Sequence, residues 1–73
     1  GAGAEQQMVA GPLSERELHV LRLLATPLSG PEIARELHVS LNTMRTHTKH
    51  VFAKLEVTSR AAAVRRAEVI GLI

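Results

Sequence analysis

From residue 13 onward the apolar positions recur at steps of three and four, and the interruptions fall where helices would start and stop. Leu18, Leu21, Leu24 and Ala25 make one stripe and predict a first helix. Its start is marked by Ser14-Glu15-Arg16-Glu17, a capping-box spacing in which the serine and the second glutamate each satisfy a free backbone N–H of the first turn, and Pro27 marks its end. Ser29-Gly30-Pro31-Glu32 repeats that spacing, with the proline in the first turn where its missing N–H costs nothing. A short second helix follows, with Ile33, Ala34 and Leu37 facing inward, Ala34 small enough for close helix contact, and His38-Val39 as a turn in which Val39 is buried. Ser40 caps a third and longer helix, about Leu41 to Leu55, in which Met44, Thr48, Val51 and Leu55, flanked by Leu41 and Phe52, form the inner face. Asn42, Arg45, Thr46, Lys49 and Ala53 fall on the opposite face. Glu56-Val57 connects to a fourth helix, capped by Thr58 or Ser59, which runs to about Val69 and stops at Gly71.

The segment before this pattern has no helical or strand period, and Gly1-Ala2-Gly3-Ala4 reads as the end of a linker. The expected organisation is a disordered linker over 1–12 and a single domain over 13–73, which is all that 73 residues allow. Phe52 is the only aromatic residue, so the core is built from Leu, Val, Ile, Ala and Met, which pack well between helices and argue against a sheet. Cysteine is absent, which excludes disulfides, thiol redox chemistry and thiolate-ligated zinc and fits a reducing compartment, so a cytoplasmic location is expected. The apolar runs Val20-Leu21 and Leu23-Leu24-Ala25 fall far short of the roughly 20 residues of a membrane span, and no membrane partner is expected.

The charge is unevenly placed. Residues 1–39 carry a net −2 and residues 40–73 a net +4, which suits a polyanion on one side of the molecule. Two helices joined by a turn of about three residues form a helix-turn-helix, in which the second helix of the pair is braced so that its N-terminal half projects into the major groove of DNA. The third helix carries what that groove requires: Arg45 for a forked pair of hydrogen bonds to guanine, Lys49 one turn later for a base or phosphate, Asn42 and Thr46 for short polar contacts, and no acid between Ser40 and Leu55. The expected fold class is therefore all-α, a four-helix helix-turn-helix bundle without a wing. His47 and His50, three residues apart on one helix, lack an evident third ligand, so no metal and no cofactor are expected. Ser14, Ser29, Ser40 and Ser59 are better placed as caps than as nucleophiles, and His19 and His38 as exposed polar residues, so no enzyme is expected.

Leu13-Ser14-Glu15-Arg16-Glu17, Glu32-Ile33-Ala34, Ser40-Leu41-Asn42-Thr43-Met44-Arg45-Thr46-His47, Lys54-Leu55 and Arg60-Ala61-Ala62-Ala63-Val64, in that order, resemble the LuxR-type C-terminal DNA-binding domain over Leu13 to Ile73. The resemblance implies a four-helix bundle whose third helix reads double-stranded DNA, whose last helix pairs with a second copy, and which follows an upstream sensor or ATP-binding domain. The wording of the third helix resembles that of large ATP-binding activators slightly more than that of response regulators. It further implies base contacts from Asn42, Arg45, Thr46 and Lys49 and phosphate contacts from Thr43, His47 and Lys54, to which the positive charges of Arg60 and Arg65 are added. Glu17, Glu32 and Arg60 match a polar scaffold, and a bridge between Arg60 and one of the glutamates is expected.

The chain departs from the pattern at Pro27 and Glu56, where glycine is usual, at Gly30-Pro31, where a polar pair is usual, and at Met44, where a β-branched residue is usual. Glu56 puts a negative charge near the end of the third helix. The fourth helix is richer in small residues than one core face requires; it either closes the bundle or offers a self-complementary patch of Ala62, Arg65, Arg66 and Val69 to a homodimer. Two functions of other classes compete with DNA reading: a protein-interaction module on the same bundle, and a small metal-dependent hydrolase. The acid-free face of the third helix favours DNA.

Overall fold

The structure is a computed structural model that describes residues 12–73. The expected linker, 1–12, lies outside these residues except for Pro12. Four helices follow one another: α1 (Glu15–Leu24), α2 (Gly30–Glu36), α3 (Leu41–Leu55) and α4 (Arg60–Val69), with no strand among the described residues. This is the expected all-α helix-turn-helix bundle.

Each helix begins at a serine in extended backbone whose hydroxyl accepts a hydrogen bond from the third residue of the helix: Ser14 from Glu17, Ser29 from Glu32, Ser40 from Thr43 and Ser59 from Ala62. In α1 and α2 the reciprocal bond is also made, since the Glu17 and Glu32 carboxylates accept from the Ser14 and Ser29 backbone N–H groups at 2.8 Å. These caps satisfy donors that would otherwise be unpaired at each helix start. Of the two candidates for α4, Ser59 is the cap.

The helix ends are less regular. α1 stops at Leu24, with Ala25 as its C-cap, short of Pro27. The proline disfavours helical backbone at the residue before it, Thr26, whose hydroxyl instead donates to the Leu23 carbonyl. α2 and α3 each end in a residue of left-handed backbone, His38 and Glu56, both at φ 59°. In each case the next N–H reaches back five residues: Val39 donates to the Ala34 carbonyl and Val57 to the Phe52 carbonyl, both at 3.0 Å. α4 closes in the same way through Gly71 at φ 81°, with the Leu72 N–H on the Ala67 carbonyl at 2.8 Å. All three are Schellman closures, and only the last uses the residue that adopts this backbone without steric cost.

α3 packs against all three other helices, and α1 also meets α2 and α4. The core is Val20, Leu21, Leu24, Ile33, Ala34, Leu37, Met44, Val51, Leu55, Ala63 and Ala67. Five residues differ from the expected pattern. Val20 is fully buried although it stands off the Leu18–Leu21–Leu24 stripe, because α1 has helices on more than one side. Leu18 is half-buried and Ala25 is exposed, the latter because the helix has already ended there. Val39 is half-buried, and Thr48 is half-buried with its hydroxyl 3.0 Å from the Met44 carbonyl and 3.1 Å from Met44 Sδ.

Candidate nucleic-acid interface

α2 and α3 form the helix-turn-helix pair, joined through the left-handed turn at His38 and locked by Ile33, Ala34, Leu37 and Met44 in the core. This fixes the outward face of α3. On that face Asn42, Thr43, Arg45, Thr46, Lys49, His50 and Ala53 are exposed, and His47 at its edge is half-buried. The Thr46 hydroxyl donates to the Asn42 carbonyl at 3.2 Å, which spends its proton on the helix and leaves its oxygen able to accept. The Ser40 hydroxyl, besides capping the helix, donates to Thr43 Oγ1 at 3.0 Å, so the two short polar side chains at the tip of α3 hold one another. The four expected base-contacting residues, Asn42, Arg45, Thr46 and Lys49, thus share one exposed face, and α3 contributes no carboxylate to compete with a phosphate.

Two basic residues expected to bind phosphate are placed differently. Lys54 Nζ is 2.7 Å from Glu17 Oε1 and 3.4 Å from the Pro12 carbonyl, and its side chain is 32% exposed against 10% for Glu17. Lys54 therefore spends its charge across α1 and α3. Glu17 lies four residues before Leu21 and seven before Leu24, on the buried stripe, and this spacing is the signal that could have revealed a buried acid in need of a cation. Burial alone pushes its carboxyl up; the Lys54 ammonium, the Ser14 N–H and hydroxyl together outweigh that and hold its pKa below the usual carboxylate range. Glu32, fully exposed, is also held low by its Ser29 cap.

The expected bridge from Arg60 to Glu17 or Glu32 is not formed. Arg60 instead donates from Nε to the Leu24 carbonyl at 2.9 Å and from Nη2 to the Thr26 carbonyl at 2.6 Å. These carbonyls lie at the C-terminal end of α1, where backbone acceptors are unpaired and the helix dipole favours a cation. The planar fork of guanidinium fits two neighbouring carbonyls, so Arg60 joins the first turn of α4 to the end of α1. Nothing in local spacing marks this pairing, which joins residues 34 and 36 positions apart.

Arg65, Arg66 and Val69 are exposed on α4 and Ala62 is half-buried. Near the end of α4 the apolar side chains Val69, Ile70 and Ile73 are 78%, 51% and 40% exposed. Among the described residues no group of three or more His, Asp or Glu side chains could hold a metal ion, and His47 and His50 gain no third ligand.

A braced helix with a capped, acid-free, basic outer face defines a helix-turn-helix domain of the kind that binds DNA. Comparison with known proteins specifies it further. The model of the family described as bacterial regulatory proteins, luxR family, matches residues 11–67, and the chain belongs to that family. It is 42% identical over 52 residues to the response regulator protein VraR of Staphylococcus aureus and, at the same identity, to VraR of Staphylococcus epidermidis. Each match takes in 71% of this chain and 25% of the relative, so the chain spans about a quarter of the length of these curated relatives. The crystal structure of the response regulator ChrA from a heme-sensing two-component system superposes with a TM-score of 0.81 at 39% identity, over 99% of this chain and 37% of that one. The chain is a DNA-binding output domain of a transcriptional regulator.

Proposed function

We propose that the domain reads a specific sequence of double-stranded DNA by seating the N-terminal half of α3 in the major groove. Arg45 and Lys49 supply the base contacts with Asn42 and Thr46 beside them, and Thr43, His47 and Arg65 meet phosphates. The observation that carries this reading is the outer face of α3, where Arg45 and Lys49 stand exposed while the neighbouring cation Lys54 is drawn inward to Glu17. Lys54 and Arg60 then serve DNA binding through the placement of the helices they join, and any phosphate they meet is met at the margin of those internal contacts.

Two copies bind half-sites about one helical turn, roughly 34 Å, apart, paired through Ala62, Arg65, Arg66 and Val69 of α4. The exposed Val69, Ile70 and Ile73 at the end of that helix support such a contact. VraR and ChrA are response regulators, which supports a regulatory domain preceding this one in the full protein, and a cytoplasmic place of action. The role is binding, with no cofactor and no catalysis.

Sequence selection on a random duplex pool, followed by affinity measurement, tests the reading. Arg45→Ala is expected to cost about 1–3 kcal/mol on the selected site and to relax preference at the base pair it reads. Unchanged discrimination in that variant would show that Arg45 is not a reader. Selection that returns no preferred site, with tight capture of a protein partner, would favour the interaction-module alternative.

A further inference from the structure

Two departures from the family pattern, Gly30 and Met44, meet in space. Gly30 is the first residue of α2 and has right-handed backbone, so no left-handed turn requires a glycine there, although Pro31 after it disfavours that backbone for a residue with a Cβ. What it provides is room. A Cβ at Gly30 would lie 3.1 Å from the Met44 ε-methyl and 3.8 Å from Leu41 Cδ1, both on the first turns of α3. The first distance is tighter than side-chain carbons tolerate without one of them moving. Methionine usually yields to such pressure because its thioether is flexible. Here it is restrained: Met44 is buried, and the Thr48 hydroxyl lies 3.1 Å from its sulfur while also donating to its carbonyl.

We propose that Gly30, Met44 and Thr48 form a positioning unit that sets how closely the start of α3 lies against α2, and through it where Arg45 stands. The inference rests on the reading of DNA by α3. Arg45 follows Met44 directly in the chain, so a displacement of the Met44 backbone is passed to it undiluted. Beside a cost from Pro31 that is the same whatever stands at 44, an alanine at 30 has two opposing effects. It removes the entropy that glycine carries in the unfolded chain, which stabilises. It also drives a methyl group into the Met44 side chain, which destabilises. With Met44 in place the contact with its ε-methyl adds to the cost; when the ε-methyl is removed, that part of the cost goes. The size of the effect of the Gly30 substitution therefore depends on residue 44.

The test is a double-mutant cycle of Gly30→Ala and Met44→Leu, which keeps nearly the same volume but ends the side chain one atom earlier. G30A is expected to lower Tm, to shift the backbone amides from Leu41 to Lys49, and to weaken binding to the selected duplex roughly tenfold, within the coupling that side chains in contact show. In the M44L background the same change is expected to lower Tm by clearly less, with the amide shifts and the affinity restored. Additive effects, or a G30A variant that is more stable with Met44 present, would overturn the proposal. Should M44L prove too unstable to study, Met44→Ile, which also lacks the ε-methyl at similar volume, is expected to relieve the cost of G30A in the same way. Restored amide shifts with DNA affinity unmoved in every variant would leave the packing unit standing and count instead against reading by α3.

Discussion

The residues that distinguish this domain from a generic helical bundle are its charged ones, and they divide by whether they face inward or outward. Arg45 and Lys49 face outward with no carboxylate on their helix. Glu17, Lys54 and Arg60 are spent inside, on an ion pair across α1 and α3 and on a pair of carbonyls at the end of α1. The outward set was legible from helical spacing alone, because exposure on a regular helix follows from the apolar positions. The inward set was not, because its partners are 34 to 37 residues apart in sequence and are set by packing. Glu17 yields a pH prediction. Its folded pKa is depressed, so its stabilisation is fully present above the unfolded value near 4.5 and is lost as pH falls through the lower folded value. Thermal melts are expected to show stability falling from about pH 4.5 downward. Glu17→Gln keeps a capping acceptor but no charge, so it should be less stable at pH 7 and show a shallower acid decline. An identical slope in the two proteins would place the acid sensitivity elsewhere.

At the scale of the helices, both the starts and the approximate ends were legible, but the backbone that closes the ends was not. Serines at 14, 29 and 40 announced α1, α2 and α3, and in α1 and α2 a glutamate three residues on completed the capping box, since a cap is a local bond between near neighbours. The ends of α2 and α3 follow from where the apolar pattern stops, at His38-Val39 and Glu56-Val57, but their left-handed closure did not, because His38 and Glu56 occupy the position that glycine usually signals. Val20 escaped the pattern for a different reason: a helix packed on several sides buries more than one stripe. Left-handed backbone costs a residue with a Cβ roughly 1–2 kcal/mol relative to glycine, part of which is returned by the flexibility of glycine in the unfolded chain. His38→Gly and Glu56→Gly are therefore each expected to raise stability by about 1 kcal/mol in chemical denaturation. Glu56→Gly also removes the negative charge nearest the end of α3, so it should strengthen DNA binding modestly at low salt. A loss of stability in both variants would mean that these side chains make contacts worth more than the backbone strain.

For the whole molecule, the charge asymmetry and the basic outer face of α3 describe a surface for a polyanion, and the apolar end of α4 is the surface proposed for a second copy. If α4 supplies the second, Val69→Asp should leave the melting temperature of the isolated domain nearly unchanged, because this side chain is 78% exposed, yet abolish cooperative binding to a duplex with two half-sites while sparing a single half-site. Equal cooperativity in the variant would move the dimer contact off α4. The central claim is that α3 enters the groove. It is tested most directly by titrating the labelled domain with duplex DNA and following each backbone amide at two salt concentrations. The account predicts shifts concentrated at Asn42, Arg45, Thr46 and Lys49 that weaken as salt rises, because phosphate neutralisation releases counterions. Amides of α3 that stay still while those of α4, or none, respond would contradict it.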